Sequence, residues 1–248
     1  MGPSLSMETV TAPEGWLLKY RADRRSVALV MASFAMRLGV FLFVTPWVGL
    51  LLLPVLMVPS VMVAAYNHHH QHVNTFRSPV LNRLYDIVLA LQTGIGPYGW
   101  VLHHNLGHHK NYLNQPPEGD ADESHWARHG DGSTMGRIEY TLHTFLYHQV
   151  EIFKVGRKHP EVLRWYLGMK VPHYAVVALG LWWNPLAFVV AFMIPGAITL
   201  LHTCWATYEH HSGQYTKDHY EASTNREHPL FNVLTCNLGL HTAHHMNP

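Results

Sequence analysis

Charge is scarce in this chain. Lys and Arg number 17 and Asp and Glu 16, together 13% of 248 residues, for a formal net charge of +1. A nucleic-acid partner needs a basic surplus to neutralise phosphates, so that class is excluded. Cysteine is scarcer still. Cys204 and Cys236 are too few for a disulfide framework or a paired-cysteine zinc site, and they read as small packing residues. A usable dinucleotide loop is also missing. "GIGPYG", Gly94 to Gly99, has the GxGxxG spacing, but Pro97 interrupts a helix-like segment and no strand precedes it. No flavin or nicotinamide domain is legible, so reducing electrons would have to come from outside. The basic N-terminal residues precede a long apolar run rather than the short core of a cleavable signal.

What the chain does have is long stretches almost free of charge. Spans are expected near residues 26–44, 47–66, 165–183 and 186–208, each close to the ~20 residues that cross a hydrocarbon core. Thr45-Pro46 and Asn184-Pro185 join them as two hairpins through uncharged turns. Lys19, Arg21, Arg24 and Arg25 precede the first span, and Arg and Lys recur between residues 77 and 164. The positive-inside tendency then puts both termini and the middle segment in the cytosol. The expected fold is all-α and integral to the membrane: one domain, four transmembrane helices, and a cytosolic cap from 67–164 and 209–248. Residues 85–102 read as interfacial or re-entrant. Residues 138–153 read as an amphipathic helix near the membrane surface.

Histidine is the residue in excess, with 22 copies. "NHHHQH" follows the second span and sets His68 and His72 four apart, on one helical face. "HHNLGHH" repeats the spacing with His104 and His108, and His109 adjoins. "YEHH" ends the fourth span with His210 and His211. "LGLHTAHHMNP" closes the chain with His241, His244 and His245 at i, i+3 and i+4. Taking two, three, one and three from these groups gives nine imidazoles. One tetrahedral zinc needs four, so nine suits two metals. Imidazole alone does not choose among Zn, Cu, Fe and Ni. Within the runs, His69, His70, His103 and His211 could exchange roles with their neighbours, and His143 and His148 could reach the same site.

The order HxxxH, HxxxHH, a further His after the last span and then HxxHH resembles the membrane fatty acid desaturase and hydroxylase superfamily. "HHNLGHHKNYLNQPPEGDAD" is similar to its second histidine motif, and "NVLTCNLGLHTAHHMNP" to its third. The resemblance runs from His68 to Pro248. It implies a di-iron centre (Fe2+/Fe3+) beneath a cytosolic cap, with His68, His72, His104, His108, His109, His210, His241, His244 and His245 as ligands. Glu209 stands where members commonly carry Gln. With Asp120 and Asn237, it is a candidate for hydrogen bonding behind the ligands.

The expected function is therefore an oxidoreductase that uses O2 and two electrons to desaturate a fatty acyl or similar aliphatic chain. Hydroxylation, or formation of an alkene or alkyne, on the same substrate class is the alternative. The acyl group could be free or linked to CoA, a carrier protein or a lipid. Electrons would come from a ferredoxin, rubredoxin or cytochrome b5-like protein. A histidine-rich metal transporter or sensor is the rival of another class, but the spans are nearly free of ligands, whereas a transporter needs polar groups near the midplane. Ala197 and Ala206 on the fourth span are expected to limit how deep a tail can reach.

Overall fold

The computed structural model describes residues 16–119 and 127–246. Among the described residues it is all-helical, with two isolated β-bridges, Leu18–Phe76 and Arg128–Thr134, and no strand beyond them.

Two helices are long and apolar enough to cross a bilayer, α1 (Asp23–Phe43, 21 residues) and the helix Pro185–His211 (27 residues). At 1.5 Å per residue, α1 is ~31 Å long, the thickness of a hydrocarbon core. The second expected span is not one helix. Pro54 and Pro59 lack the N–H that would continue the ladder, and residues 46–72 divide into α2 (Pro46–Leu51), α3 (Leu53–Met57) and α4 (Ser60–His72). The third forms within the helix Pro160–Trp183, which is broken up in composition by Lys170 and His173, with Pro172 between them. These polar residues keep it out of the apolar pair.

α5 (Pro79–Thr93) is started by the Ser78 hydroxyl, which accepts from Leu81 N–H, and stopped by Gly94 at φ 73°. Only glycine suits that site: a Cβ would also lie 2.7 Å from the Gly196 carbonyl oxygen. Residues 85–102, expected to be interfacial or re-entrant, contribute to this mostly buried helix and to the bend after it. Next comes a π-helical segment, Val101–His108, where His109 N–H donates to the His104 carbonyl five residues back, running into the short turn His109–Asn111.

α6 (Arg137–Lys158) is the expected amphipathic helix, longer at its C-terminal end. It buries Tyr140, Thr144, Glu151, Ile152 and Val155, and turns Ile138, Leu142, Leu146 and Val150 outward. α7 (Pro160–Trp183) returns to the far end of the bundle. Asn184 then accepts from Ala187 N–H at 3.2 Å and starts α8 (Pro185–His211), which contains a π turn at Val189–Met193. The helices on either side of this turn meet closely, since a Cβ on Gly180 would lie 2.2 Å from the Phe188 ring. Two short helices finish the chain, α9 (Pro229–Leu234) and α10 (His241–Met246).

Aromatic rings lock the far half of the bundle. Phe41 meets Phe188 edge-on at 5.6 Å and Phe192 at 6.2 Å, over buried Val40, Leu56 and Ala191. Such edge contacts are worth ~0.5–1.5 kcal/mol beyond burial. Outside, Phe43, Trp47, Trp182 and Trp183 are each at least 70% exposed and cluster at the two hairpin turns. A water-soluble surface rarely shows such a patch; aromatic belts form where a membrane meets water. The histidines lie at the opposite ends of these helices.

Candidate metal centre

Four helix ends deliver the imidazoles. α4 supplies His68 and His72, and the π-helical segment and its following turn supply His104, His108 and His109. α8 ends on His211, and α10 carries His241, His244 and His245. They sort into two groups: His68, His72, His104, His109 and His244 in one, and His108, His211, His241 and His245 in the other. Within each group the candidate ligand atoms all lie within 4.8 Å of one another.

The spacing is that of ligands around an ion. In the second group, the Nε2 atoms of His211 and His108 are 3.0 Å apart, His211 and His241 2.9 Å, His245 and His241 3.0 Å, and His108 and His245 3.2 Å. In the first, His104 and His109 are 2.9 Å apart, His109 and His244 2.8 Å, and His68 and His104 2.6 Å. Donor atoms ~2.0–2.1 Å from a common ion and 90–109° apart sit ~2.9–3.4 Å from each other. Hydrogen bonding cannot account for the set. A neutral imidazole has one N–H and one lone pair, and His211 already commits its Nδ1–H to the Ala222 carbonyl at 2.8 Å. Its Nε2 is therefore a bare lone pair among three other Nε2 atoms. Nε2 of His72 is buried with no hydrogen-bond partner. These residues fit a pair of resident cations.

The rings are held neutral, as ligation requires. Burial, reinforced by neighbouring imidazoles, lowers His109 to about 2, His244 to about 3 and His72 to about 4. His68, His104, His241 and His245 are pushed down by the same two causes.

Eight of the nine expected residues come together, five in the first group and three in the second. His210 does not join them as a donor; His211 occupies that place. The His210 ring lies flat on His241, centroids 3.9 Å apart, and lines the cavity below. Adjacent positions on a helix point ~100° apart, so only one can face the group. The loop returning through Ala222 orients His211.

The expected supports also differ. Glu209 faces neither group; its carboxylate pairs with Arg137 and Arg226. Arg226 N–H in turn holds the Gly239 carbonyl, so Glu209 braces the approach to α10. Asn237 adopts the left-handed conformation with Cys236 and accepts from Leu240 N–H at 3.0 Å, forming the turn into α10. Asp120 lies outside the described residues. His70, a possible substitute, turns away to Asp86 and Thr75, and His103 pairs with Glu151. His143 stacks on Tyr147 away from both groups.

Sequence reasoning missed two aromatic supports. Tyr112 packs against His245 with centroids 4.1 Å apart and planes tilted by 32°, and Trp100 stands edge-on to His68 at 5.5 Å. Tyr112 lies four residues after His108, a spacing that could have drawn attention to it.

Beneath the groups is a cavity of about 90 Å³. Its roof includes His104, His108, His211 and His241, and its walls include Leu200, Cys204 and Ile152. His148 also lines it. Ala197 and Ala206 do not: Ala197 is on the outer face of α8, and Leu200 and Cys204 face the cavity in their stead.

A family model, fatty acid desaturase, matches residues 45–248. The chain belongs to the fatty acid desaturase family. Every histidine of both groups falls inside the match, and membership makes the protein an oxidoreductase. Comparison with curated proteins and with solved structures returns no match.

Proposed function

We propose that this family member is a multi-pass membrane enzyme holding two irons, with O2 and two external electrons used to desaturate an aliphatic or acyl chain. The balance is RCH2CH2R′ + O2 + 2e− + 2H+ giving RCH=CHR′ + 2H2O. The observation that carries it is the convergence of nine imidazole donors in two groups over one cavity. His68, His72, His104, His109 and His244 would hold one iron, and His108, His211, His241 and His245 the other. Bound iron supplies the O2-activating redox chemistry that no side chain of this protein offers.

The protein's own part is positioning and exclusion. The Ala222 carbonyl fixes the tautomer and direction of His211, and the tilted Tyr112 ring packs against His245. The cavity walls hold the reacting carbons under the histidine roof and keep water away. An aliphatic tail reaching the cavity from lipid gains little from the ~0.8 kcal/mol per CH2 of water transfer, so fit selects it.

Four spans in two hairpins, with both termini and the site on the cytosolic side, agree with the uncharged turns and with the exposed aromatics at the far end. Electrons would then come from a cytosolic ferredoxin, rubredoxin or cytochrome b5-like donor.

The test pairs metal analysis with product analysis on the purified chain. Two tightly held irons per chain and a new double bond in a lipid product are expected. Exchangeable zinc or nickel without oxidised lipid would turn the reading toward transport, and a hydroxylated product would replace desaturation. His211→Ala should lose iron while His210→Ala keeps it; the reverse would reassign the ligand.

A further inference from the structure

α4 begins with an apolar run, Val61, Met62, Val63, Ala64 and Ala65, that covers every side of the helix. Lipid tails are as apolar as these side chains, so their packing gives α4 little reason to prefer one rotation about its axis. Rotation matters because His68 and His72 project from the end of this helix. A turn of ~20° moves a side-chain tip at the ~5–6 Å helix radius by ~2 Å. A ligand constellation has to hold to ~0.5 Å.

One buried stripe of α4 carries polar groups instead. Ser60, Asn67 and Gln71 lie on it, at the spacing that keeps residues on one helical face. Each is tied to a different place. Ser60 Oγ accepts from Arg37 Nη2 at 2.8 Å, Asn67 Nδ2 donates to Thr93 Oγ1 at 2.9 Å, and Gln71 Nε2 donates to Asp86 Oδ1 at 2.9 Å. The last tie is the one beside the ligands, since Gln71 directly precedes His72.

Asp86 is a fixed point. It is 3% exposed, and its Oδ2 lies 3.2 Å from Arg83 Nε. Thr75 N–H donates to His70 Nδ1 at 3.2 Å, so a neutral His70 carries its proton on Nε2, 3.3 Å from Asp86 Oδ1. Asp86 thus meets two consecutive residues of α4 lying between His68 and His72. The hold extends to the next histidine motif. Gln71 accepts at its carbonyl from Asn105 Nδ2 at 2.8 Å, and Asn105 adjoins His104 in the π-helical segment.

We infer that Asp86 is a positioning residue for the first histidine group. Through Gln71 it fixes the rotation of α4, and with it the directions of His68 and His72; through the Gln71 carbonyl and Asn105 it also sets the distance to His104. Neither Asp86 nor Gln71 belongs to a histidine group or lines the cavity, so both act through the helix. The second group takes no ligand from α4 and stands outside this hold. The inference rests on the reading of the two groups as metal sites.

The experiment titrates the metal-free full chain in detergent with Co2+ and follows its visible absorption, which reports ligand geometry without turnover. The wild type should bind one ion per group, and the first group's ion is identified by its loss in His72→Ala. Asp86→Ala and Gln71→Met should each weaken that ion at least ~10-fold, as loss of an outer partner does, and alter its spectrum. The other ion should keep its affinity and spectrum. Gln71→Met leaves the Asp86–Arg83 pair in place, so the test stands even where Asp86→Ala fails to fold. The double variant should be no worse than either single one, because both break the same link. Asp86→Asn keeps an acceptor for Gln71 but loses the charge facing Arg83, and should bind cobalt like the wild type. A purely stabilising role predicts the opposite: Asp86→Asn would match Asp86→Ala, and both ions would weaken together. That result, or unchanged cobalt binding in Gln71→Met, overturns the inference. A wild type that binds no cobalt would instead overturn the metal reading itself and take this inference with it.

Discussion

The two histidine groups are built from the same motifs but sit in different surroundings. The second group is buried throughout, whereas every member of the first is only partly buried. His211 is fixed by a backbone carbonyl and His245 by the face of Tyr112. The first group borders an open pocket of about 300 Å³ lined by His68, His72, His244 and the turn at Cys236 and Asn237. A locked site and an accessible site, roofing one cavity, divide two demands. On the proposed function, the locked site would keep its geometry while the accessible one would be open to a reductant and to water.

The strongest test of that division is ligand loss. His245→Ala should cost at least ~100-fold in activity, beyond the 10–100-fold typical of removing a supporting group, and should reduce iron to one per chain by elemental analysis. His72→Ala should lose iron from the first group alone, with the Tyr112–His245 contact kept. Equal loss of both metals in either variant would merge the two sites into one.

A chelator should sharpen the contrast next. Iron should leave in two phases, the fast one from the partly buried group, followed by absorbance of the chelate. His244→Ala should accelerate the fast phase and leave the slow one in place.

Acid should affect the metal-free protein more gradually. His72, His109 and His244 are ordinary imidazoles when unfolded and have strongly lowered affinity for protons when folded. Below pH ~6.5 the unfolded chain takes up protons that the folded chain refuses, so stability is full above that value and falls as pH drops toward 4 and below. Thermal unfolding of metal-free protein at pH 8, 6 and 5 should show a falling Tm. Bound iron should flatten the fall until the ligands themselves are protonated.

The smallest effect is expected at Glu209. Its two arginine partners are 31% and 49% exposed, so each pair is worth ~0–1 kcal/mol. Glu209→Gln should lower Tm slightly and leave iron content intact. A large loss of iron would mean that the brace on α10 reaches the ligands.

Much of this site was legible in the sequence because four-residue histidine spacing survives on any regular helix. The choice of His210 over His211 was not. It depends on a carbonyl at Ala222, delivered by a loop whose path no local pattern encodes. The pairing within HxxxHH was hidden for another reason. Spacing suggests His104 with His108, but the π-helical turn sets His104 beside His109 and gives His108 to the other group. Two apolar helices were read closely. The segmented second span was not, since an uncharged run meets the length of a span even where Pro54 and Pro59 break its helix near Leu52 and Val58. Ala197 looked like a floor for the cavity because small residues on a span resemble packing residues; it faces outward.

The π-helical segment has a consequence for how such a site could be lost or gained. It carries one residue more per turn of hydrogen bonding than the helix around it, as though a single codon had been added to an ordinary helix. Deleting one non-histidine residue between Val101 and His108 would let the backbone relax into the more comfortable α geometry. The α turn would span with four residues what the π turn now spans with five, so the chain beyond the deletion would keep its direction. Local folding would improve, and His104, His108 and His109 would be presented on the pitch of an ordinary helix instead of the wide turn that now divides them between the two groups. Such a deletion would separate the chain's own conformational preference from the chemistry it supports. The less favourable helix lets one short segment send His108 to one histidine group and His104 with His109 to the other.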